Sequence, residues 1–555
     1  MLCLAVLLCG AGVTPAAEPP PAAAVASSND LATRAGVEIL KQGGNAFDAA
    51  VAVTAVLAVV EPYSAGLGGG GLWLLHRASD GKQVLLDGRE RAPRLAHWHY
   101  FSTGNPSDNN GSGKAALSAA IPGIPAAIVH LARNYGRLPL TADLKPAQNY
   151  AKKGFYVSGA YLSAVSTRLA DLLRDPGTAG IFLDHGLVPR SGYWLKQKEL
   201  AQTLAALAEH GLAGFYQGEV AGQLVLGVNK HGGIWTAQDL LSYQVREREP
   251  LVYTFHDMRV IAAPPPSAGG VVLGQALGML SHFDLDGMDS VARMHHVVEC
   301  LRRSFRDSAA YLGDPDAVVA PLTRLLNADY LEGLALTIDS SHATPSEVLG
   351  DTPGLAQSGL QTTHFSIIDA EGNRVSGTLS GSAVFGAAYA PAGTGVLLNN
   401  SMMDFVMEPD GEDNGRANAL RPEKRPLTSM TPAFLETADR VAVLGTPGGN
   451  RIISMMLLAT LGFAGNGSAA ALMAQPRYHH QYLPDVIEFE KNALTVVEQE
   501  RLRAMGHRPV ELPELYGDMQ VVIWDRQSRT VDAASDPRGS GSAVVVPEAE
   551  LRHLK

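Results

Sequence analysis

"GLQTTHFSIIDAEGNRVSG", residues 359–377, decides the fold. Its alternating apolar residues predict a strand over 363–368, and "DAEGN" at 369–373 carries turn chemistry, so the stretch reads as a β-hairpin. In an extended chain Thr363, Phe365 and Ile367 face one side, and Thr362, His364 and Ser366 the other. A turn centred on Glu371 sets Thr362 opposite Ser380 with Cβ atoms roughly 4.5–5.5 Å apart. Thr378 and Ser382 fall on the same side of the returning strand. A slip of one residue would undo this pairing. Threonine and serine also suit strands in their own right, so the hairpin alone does not make either hydroxyl chemical.

The rest of the chain supplies ample material for a core. Its 555 residues are 46% hydrophobic and 18% charged, enough for two or more domain-sized cores. Lys and Arg total 44 against 55 Asp and Glu, a net charge of -11, and no basic run tracks a phosphate backbone. Nucleic acid and anionic membrane are poor partners on these grounds, and no nucleic-acid partner is expected.

At the N-terminus, Leu2 to Val13 is apolar and small residues follow, which reads as a signal peptide over 1–26, cut after Ala24-Val25-Ala26 or earlier near Ala17. It is too short for a permanent membrane span. Its removal takes Cys3 and Cys9, leaving Cys300 alone and no intramolecular disulfide, which suits a periplasmic or secreted protein held by its core.

Two helices are expected over 29–62, the first capped near Asn29 and ending at Gly43-Gly44, the second opening at Asn45 and stopping before Pro62. The second is apolar almost all round and reads as a central buried helix. Short strands at 71–76 and 83–86, a polar loop at 102–114 and a mostly helical region follow. A punctuated loop from Thr337 to Gly359 leads to the hairpin. Beyond Thr362 the texture turns to strands: "RVSGTLS", "GVLLNN", "VAVLGTP" and "MQVVIWD", with helices at 452–462 and 467–475.

Several motifs together resemble the γ-glutamyltransferases, members of the N-terminal-nucleophile hydrolases. They are "ATRAGVEILKQGGNAFDAAVAV", "GLGGGGLW", "LDGRERAP", "PPPSAGG", "TTHFSIIDAEGN", "GVLLNNSMMDF", "KRPLTSMTP" and "GTPGGNRII", in the expected order from about residue 29 onward. The resemblance implies an αββα layered α/β fold. It implies a precursor cut between Gln361 and Thr362 into a large subunit, 27–361, and a small catalytic subunit, 362–555, that form a heterodimer around one shared core. A threonine hydroxyl is weakly nucleophilic, and a free α-amine with reference pKa about 7.7–8.0 gives it an adjacent base.

By the same resemblance Ser380 stands where relatives carry a threonine bonded to the nucleophile, and Gly448 and Gly449 match the oxyanion-hole glycines. Arg89 matches the arginine that holds a donor's α-carboxylate, Thr428 and Ser429 the hydroxyl pair that shares it, and Asp404 the acid for the α-ammonium group. Ser382 and Ser401 replace the longer Asn and Gln of relatives, and the stretch from Asp404 to Lys424 has no Tyr to form an aromatic lid. Glutathione, other γ-glutamyl compounds and amino acid or peptide acceptors are the implied small-molecule substrates, with no cofactor. Alternatives are an acylase or amidase of the same superfamily, and a secreted binding protein that never matures.

Competing motifs are weak. "GLGGGG" satisfies G-x-G-x-x-G over 66–71 but follows a helix and Glu61-Pro62 rather than a strand, so close backbone packing is the better use of it. No serine has glycines at both minus two and plus two. His295-His296 and His479-His480 are sequence neighbours that point apart, so no metal is implied.

Overall fold

A computed structural model describes residues 18–101, 115–350, 361–407 and 416–551. Ahead of the hairpin, the strands of the two large sheets are β1 (Ala22–Ser27), β2 (Gly70–Arg77), β3 (Lys82–Gly88), β4 (Arg246–Arg248), β5 (Leu251–Phe255) and β6 (Met258–Ala262). The hairpin strands are β7 (Gln361–Ile368) and β8 (Arg374–Ser382). They are followed by β9 (Ala433–Glu436), β10 (Arg440–Gly445), β11 (Gln520–Asp525), β12 (Thr530–Ser535) and β13 (Ser542–Pro547). The helices that matter for the site are α1 (Asp30–Lys41), α2 (Ala46–Val60), α3 (Gly269–Leu280), α4 (Ser290–Tyr311) and α5 (Arg451–Ala464).

A seven-stranded sheet runs β13-β1-β7-β8-β2-β3-β4, and a six-stranded sheet runs β12-β11-β10-β9-β6-β5. Side-chain alternation sorts the layers. On the first sheet Val25, Trp73, Leu75, Phe365, Ile367 and Val375 pack with α1 and α2, whereas Ala24, Ala26, Leu72, Leu74 and Ile368 meet Phe434, Val443, Val522 and Trp524 of the second sheet. The far face of the second sheet carries α3, α4 and α5. The order is helices, sheet, sheet, helices, as the fold expectation required.

Both helix caps fall where the sequence puts them. Asn29 accepts from the Leu31 N–H, and Asn45 forms a capping box with Asp48. Helix α2 is buried along its whole length. The hairpin register holds from Arg374↔Ile368 to Ser380↔Thr362. Beyond that it departs: a bulge between Ser380 and Ser382 pairs Ser382 with Gln361, and Ser382 takes φ 73°.

Other expectations need correction. Residues 22–27 form β1, wholly buried between β13 and β7, so a signal boundary after Ala26 would delete a central strand. Of the two cuts expected, only the one near Ala17 keeps it. The chain before Gln361 is mostly helical with strands, as expected, and β1 to β6 reach into both sheets. "GVLLNN" is no strand; it lies beside the glycine loop through the bridge Gly68↔Leu398. The expected loop at 102–114 and the last part of the segment leading to the hairpin, 351–360, lie outside the described residues.

The two sheets approach closely at the C-terminal end of β10. An ideal Cβ on Gly445 would lie 2.3 Å from the His364 ring, so only glycine fits while that imidazole stays in place. Nearby, Ser366 Oγ donates to Gln520 O at 3.0 Å and Ser376 Oγ to Leu444 O at 2.8 Å, tying sheet to sheet with satisfied polar groups. Gly445→Ala is expected to lower stability by about 1–3 kcal/mol through overpacking, read as a lower urea midpoint with an unchanged slope.

Candidate active site

Strand β7 is hydrogen-bonded on both sides, so Thr362 at its start is fixed by its neighbours rather than by a loop. Ser380 Oγ donates to the carbonyl oxygen of Gln361 at 2.9 Å and accepts from the Ser382 N–H at 2.9 Å. The hydroxyl opposite Thr362 therefore holds the carbonyl of the peptide bond that precedes Thr362. The bulge turns Ser382 so that its Oγ donates to Asp404 Oδ1 at 2.8 Å.

Thr362, Ser380, Ser382, Arg89, Asp404, Thr428, Ser429 and Gly449 line one cavity with Met430 and Ile452. It holds about 10 Å³, room for about one water. Ser401 lies one layer behind, on the far side of Arg89, and Gly448 precedes the lining glycine on the loop from β10 to α5. Gly448 has φ 140° and Gly449 φ 60°, conformations that glycine alone adopts freely, and they turn the loop at the N-terminal end of α5. Thr428 and Ser429 are seated by the Thr428 N–H to Pro266 O at 2.9 Å and by Ser429 Oγ to Asn450 Oδ1 at 2.9 Å. The glycines of 66–71 serve close packing: a Cβ on Gly68 would lie 2.1 Å from Leu397 O, and one on Gly69 2.4 Å from Ser380 O.

Arg89 is 1% exposed and all three of its nitrogens are engaged. Nη1 donates to Glu90 Oε2 at 2.7 Å and to Ser401 Oγ at 3.4 Å, Nε to Pro426 O at 3.3 Å, and Nη2 to Asp404 Oδ2 and Leu427 O. Ser401 Oγ in turn donates to Glu90 Oε1 at 2.8 Å. Burial disfavours the guanidinium charge, yet Glu90 and Asp404 outweigh it and hold the arginine firmly protonated. Burial pushes the Glu90 carboxyl up, and Arg89 opposes the rise. Two acids around one base leave the group formally negative when all three are ionised. Sequence reasoning singled out Arg89 and Asp404 but passed over Glu90, although "DGRERAP" sets it beside the arginine.

The histidine pairs behave as sequence neighbours should, with partners in different directions. His295 meets His507 at 2.8 Å and Asp339 O at 2.7 Å, while His296 meets Ala292 O. The ligand atoms of His295, Glu299 and His507 lie within 4.8 Å of one another. Glu299 is already paired with Arg302 and Arg303, so the trio ties α4 to its surroundings and offers a poor cation site.

The chain matches the family described as Gamma-glutamyltranspeptidase over residues 32–546. It belongs to that family. The glutathione hydrolase proenzyme of Escherichia coli (strain K12) is 36% identical over 526 residues, covering 93% of this chain and 90% of that protein. The acylase ACY 1 proenzyme of Pseudomonas sp. (strain SE83) is 32% identical over 535 residues, covering 94% and 93%. Among solved structures, a cephalosporin acylase from Bacillus halodurans matches with TM-score 0.85 and 28% identity over 95% of this chain and 96% of that one. The gamma-glutamyltranspeptidase of Helicobacter pylori is 34% identical with TM-score 0.55, over 58% of this chain and 93% of that chain. Family members of both names thus resemble this chain to similar degrees, and the fold is that of the N-terminal-nucleophile hydrolases. Among the described residues no helix is long and apolar enough to cross a membrane.

His364, two residues beyond Thr362 on the same face, shares hydrogen bonds with Thr378 Oγ1 at 2.8 Å and Ser366 Oγ at 3.2 Å. Burial lowers its pKa to about 3, so it stays neutral wherever the protein is folded near neutral pH. The folded chain refuses a proton that the unfolded chain takes below about 6.5, so this group's contribution to stability is complete above that pH and is lost as pH falls toward 3. Between pH 7 and pH 5 the loss is about 2 kcal/mol. Urea midpoints of wild type and His364→Asn at the two pH values are expected to show the wild-type advantage shrinking at pH 5.

Proposed function

We propose that this protein is a self-cleaving hydrolase and acyltransferase that cuts γ-glutamyl amide bonds through an ester on Thr362. The hydrogen bond from Ser380 Oγ to Gln361 O, with Thr362 directly across the ladder, is the observation that carries it. That bond polarises the carbonyl which the Thr362 hydroxyl would attack. The Oγ–C bond forms, the Gln361–Thr362 C–N bond breaks, and the hydroxyl proton passes to the freed nitrogen. Water then hydrolyses the ester, leaving a carboxylate on Gln361 and an N-terminal Thr362 whose amine serves as the base. Residues up to 361 and from 362 onward would remain together as a heterodimer.

On the mature chain, Thr362 Oγ attacks the donor's γ-carbonyl while its amine accepts the hydroxyl proton. The N–H groups at Gly448 and Gly449 receive the oxyanion, a contribution worth about 2.7–4 kcal/mol per donor. The leaving amine departs with a proton, and water or an amino acid or peptide amine takes up the acyl group. Thr428 and Ser429 offer hydroxyls to the donor's α-carboxylate beside Arg89, and Asp404 an oxygen to its α-ammonium. Glutathione is the default donor. The apolar N-terminal segment supports export to the periplasm or beyond, with the leader cut upstream of β1.

One observation favours a second reading, an acylase for a different side chain. Arg89 is already occupied by Glu90, Asp404 and Ser401, so a donor carboxylate must displace a partner to gain its full fork. Ser382 and Ser401 also give the amino end fewer and shorter acceptors than Asn and Gln would. Rates on γ-glutamyl, glutaryl and α-glutamyl anilides separate the readings. The first requires the γ-glutamyl substrate to lead by at least about tenfold, the worth of one hydrogen bond to a charged group. A glutaryl lead would establish the acylase.

Intact mass under denaturing conditions tests maturation. Wild type is expected as two fragments with the smaller beginning at Thr362, and Thr362→Ala as one full-length chain. Ser380→Ala is expected to be cut more slowly, by about tenfold or more, for want of the hydrogen bond to Gln361 O. A single uncut wild-type chain would instead support a binding protein that keeps the fold.

A further inference from the structure

On the flank of β7 that faces β1, a second polar group adjoins the nucleophile. Hydrogen bonding along an antiparallel strand alternates sides residue by residue. His364 O accepts from the Ser28 N–H at 3.3 Å on the β1 flank. Thr362, two residues earlier, turns its N–H to that same flank, while Gln361 turns its carbonyl the other way, to Ser380. The nitrogen freed by cleavage therefore looks toward the end of β1, at Ser28 and Asn29.

Two carboxyls converge there. Glu61, which closes α2 and is 3% exposed, accepts from Asn29 Nδ2 at 3.3 Å. Asp518, just before β11, lies beside Ser28 Oγ and accepts from Gln520 Nε2 at 2.8 Å, and its backbone N–H donates to Thr446 Oγ1 at 3.3 Å, on the loop that carries Gly448 and Gly449. Thr363 Oγ1, fully buried and turned to Glu61, has no well-aligned hydrogen-bond partner. The other titratable groups facing the pair are Tyr63, Asp536 and Arg477. Arg477 is committed to Asp536. Neither Glu61 nor Asp518 has an ion-pair partner among the described residues. Burial pushes both carboxyls up, and Glu61 adds to the rise at Asp518. Two buried acids with no ion-pair partner among the described residues are costly in their charged forms unless a positive group arrives.

We propose that Glu61 and Asp518 are the receiving site for the α-ammonium that cleavage creates on Thr362. The inference rests on the self-cleavage reading and adds to it the residues that position the new terminus and set its proton affinity. In the uncut chain the nitrogen is a neutral amide. Once the C–N bond breaks it becomes an amine that takes a proton from solvent near neutral pH. The ammonium then supplies the charge these carboxyls lack, anchors the first residue of β7 beside its own hydroxyl, and is held protonated to higher pH. Both acids act through the amine, as positioning residues.

The test compares wild type, Asp518→Asn and Glu61→Gln, first by intact mass and then by kcat/KM against pH on whichever anilide wild type cleaves. The acid limb reports the amine, which must be unprotonated to accept the hydroxyl proton. Removing a carboxylate that pairs with an ammonium lowers the amine's pKa, so the limb of each cut variant is expected to move to lower pH. The expected shift at Asp518→Asn is about one unit or more, which loss of packing alone would not produce. Limbs that coincide with wild type in both variants would overturn the inference. If Asp518→Asn stays uncut, Glu61→Gln decides on the same limb. If both stay uncut while wild type is cut, the acids act in the cutting and the proposed receiving site is wrong. An uncut wild type refutes self-cleavage itself, a result visible before any variant is measured.

Discussion

The pairing of Thr362 with Ser380 is the constraint on which the remaining geometry depends. Because β7 is an interior strand with partners on both flanks, Thr362, the proposed nucleophile, is held in place, and the carbonyl it is proposed to attack is one residue away along the same strand. The bulge at Ser382 ends the ladder at that point, freeing the next backbone turn to aim a hydroxyl at Asp404. Chemistry is possible here because regular pairing stops where it does.

Electrostatics divides the surroundings of Thr362 into two halves, each with more acid than base. On the cavity side Arg89 is enclosed by Glu90 and Asp404, so the carboxylate of the proposed donor would have to displace one of these partners to reach it. On the β1 side, Glu61 and Asp518 have no ion-pair partner among the described residues. Under the proposed function, the first arrangement would make recognition of a donor depend on how readily the arginine changes partners. The second leaves the uncut chain carrying a buried electrostatic cost at the bond it is proposed to break.

Much of this was legible in the sequence because it rests on short-range rules. The period-two alternation of 363–368 and the turn at 369–373 gave the register to Ser380, and Asn29 and Asn45 announced both helix starts. The motif residues Arg89, Asp404, Thr428, Ser429 and Gly449 do meet at one cavity. What could not be read depends on long-range packing. Residues 22–27 look like the tail of a leader because small apolar residues serve cleavage sites and crowded central strands equally well. The bulge at Ser382 follows from contacts with Asp404 and Asn400, more than a turn away. Glu90, Glu61 and Asp518 carry no motif of their own, and their importance appears only when burial shows how few partners they have. "GVLLNN" has strand composition, yet the approach of Gly68 leaves room only for an isolated bridge.

The sheet order β13-β1-β7-β8-β2-β3-β4 interleaves strands from either side of the Gln361–Thr362 bond, with β7 and β8 seated between β1 and β2. If that bond is cut as proposed, the two pieces cannot part without breaking ladders on both flanks of the hairpin, so separation and unfolding become one event. Assembly is easy for the uncut chain, since its parts are tethered, and becomes a bimolecular problem for the cut one, whose stability then depends on concentration. The mature protein would owe its persistence to a high barrier against opening, with a native state reached once, through a precursor that no longer exists.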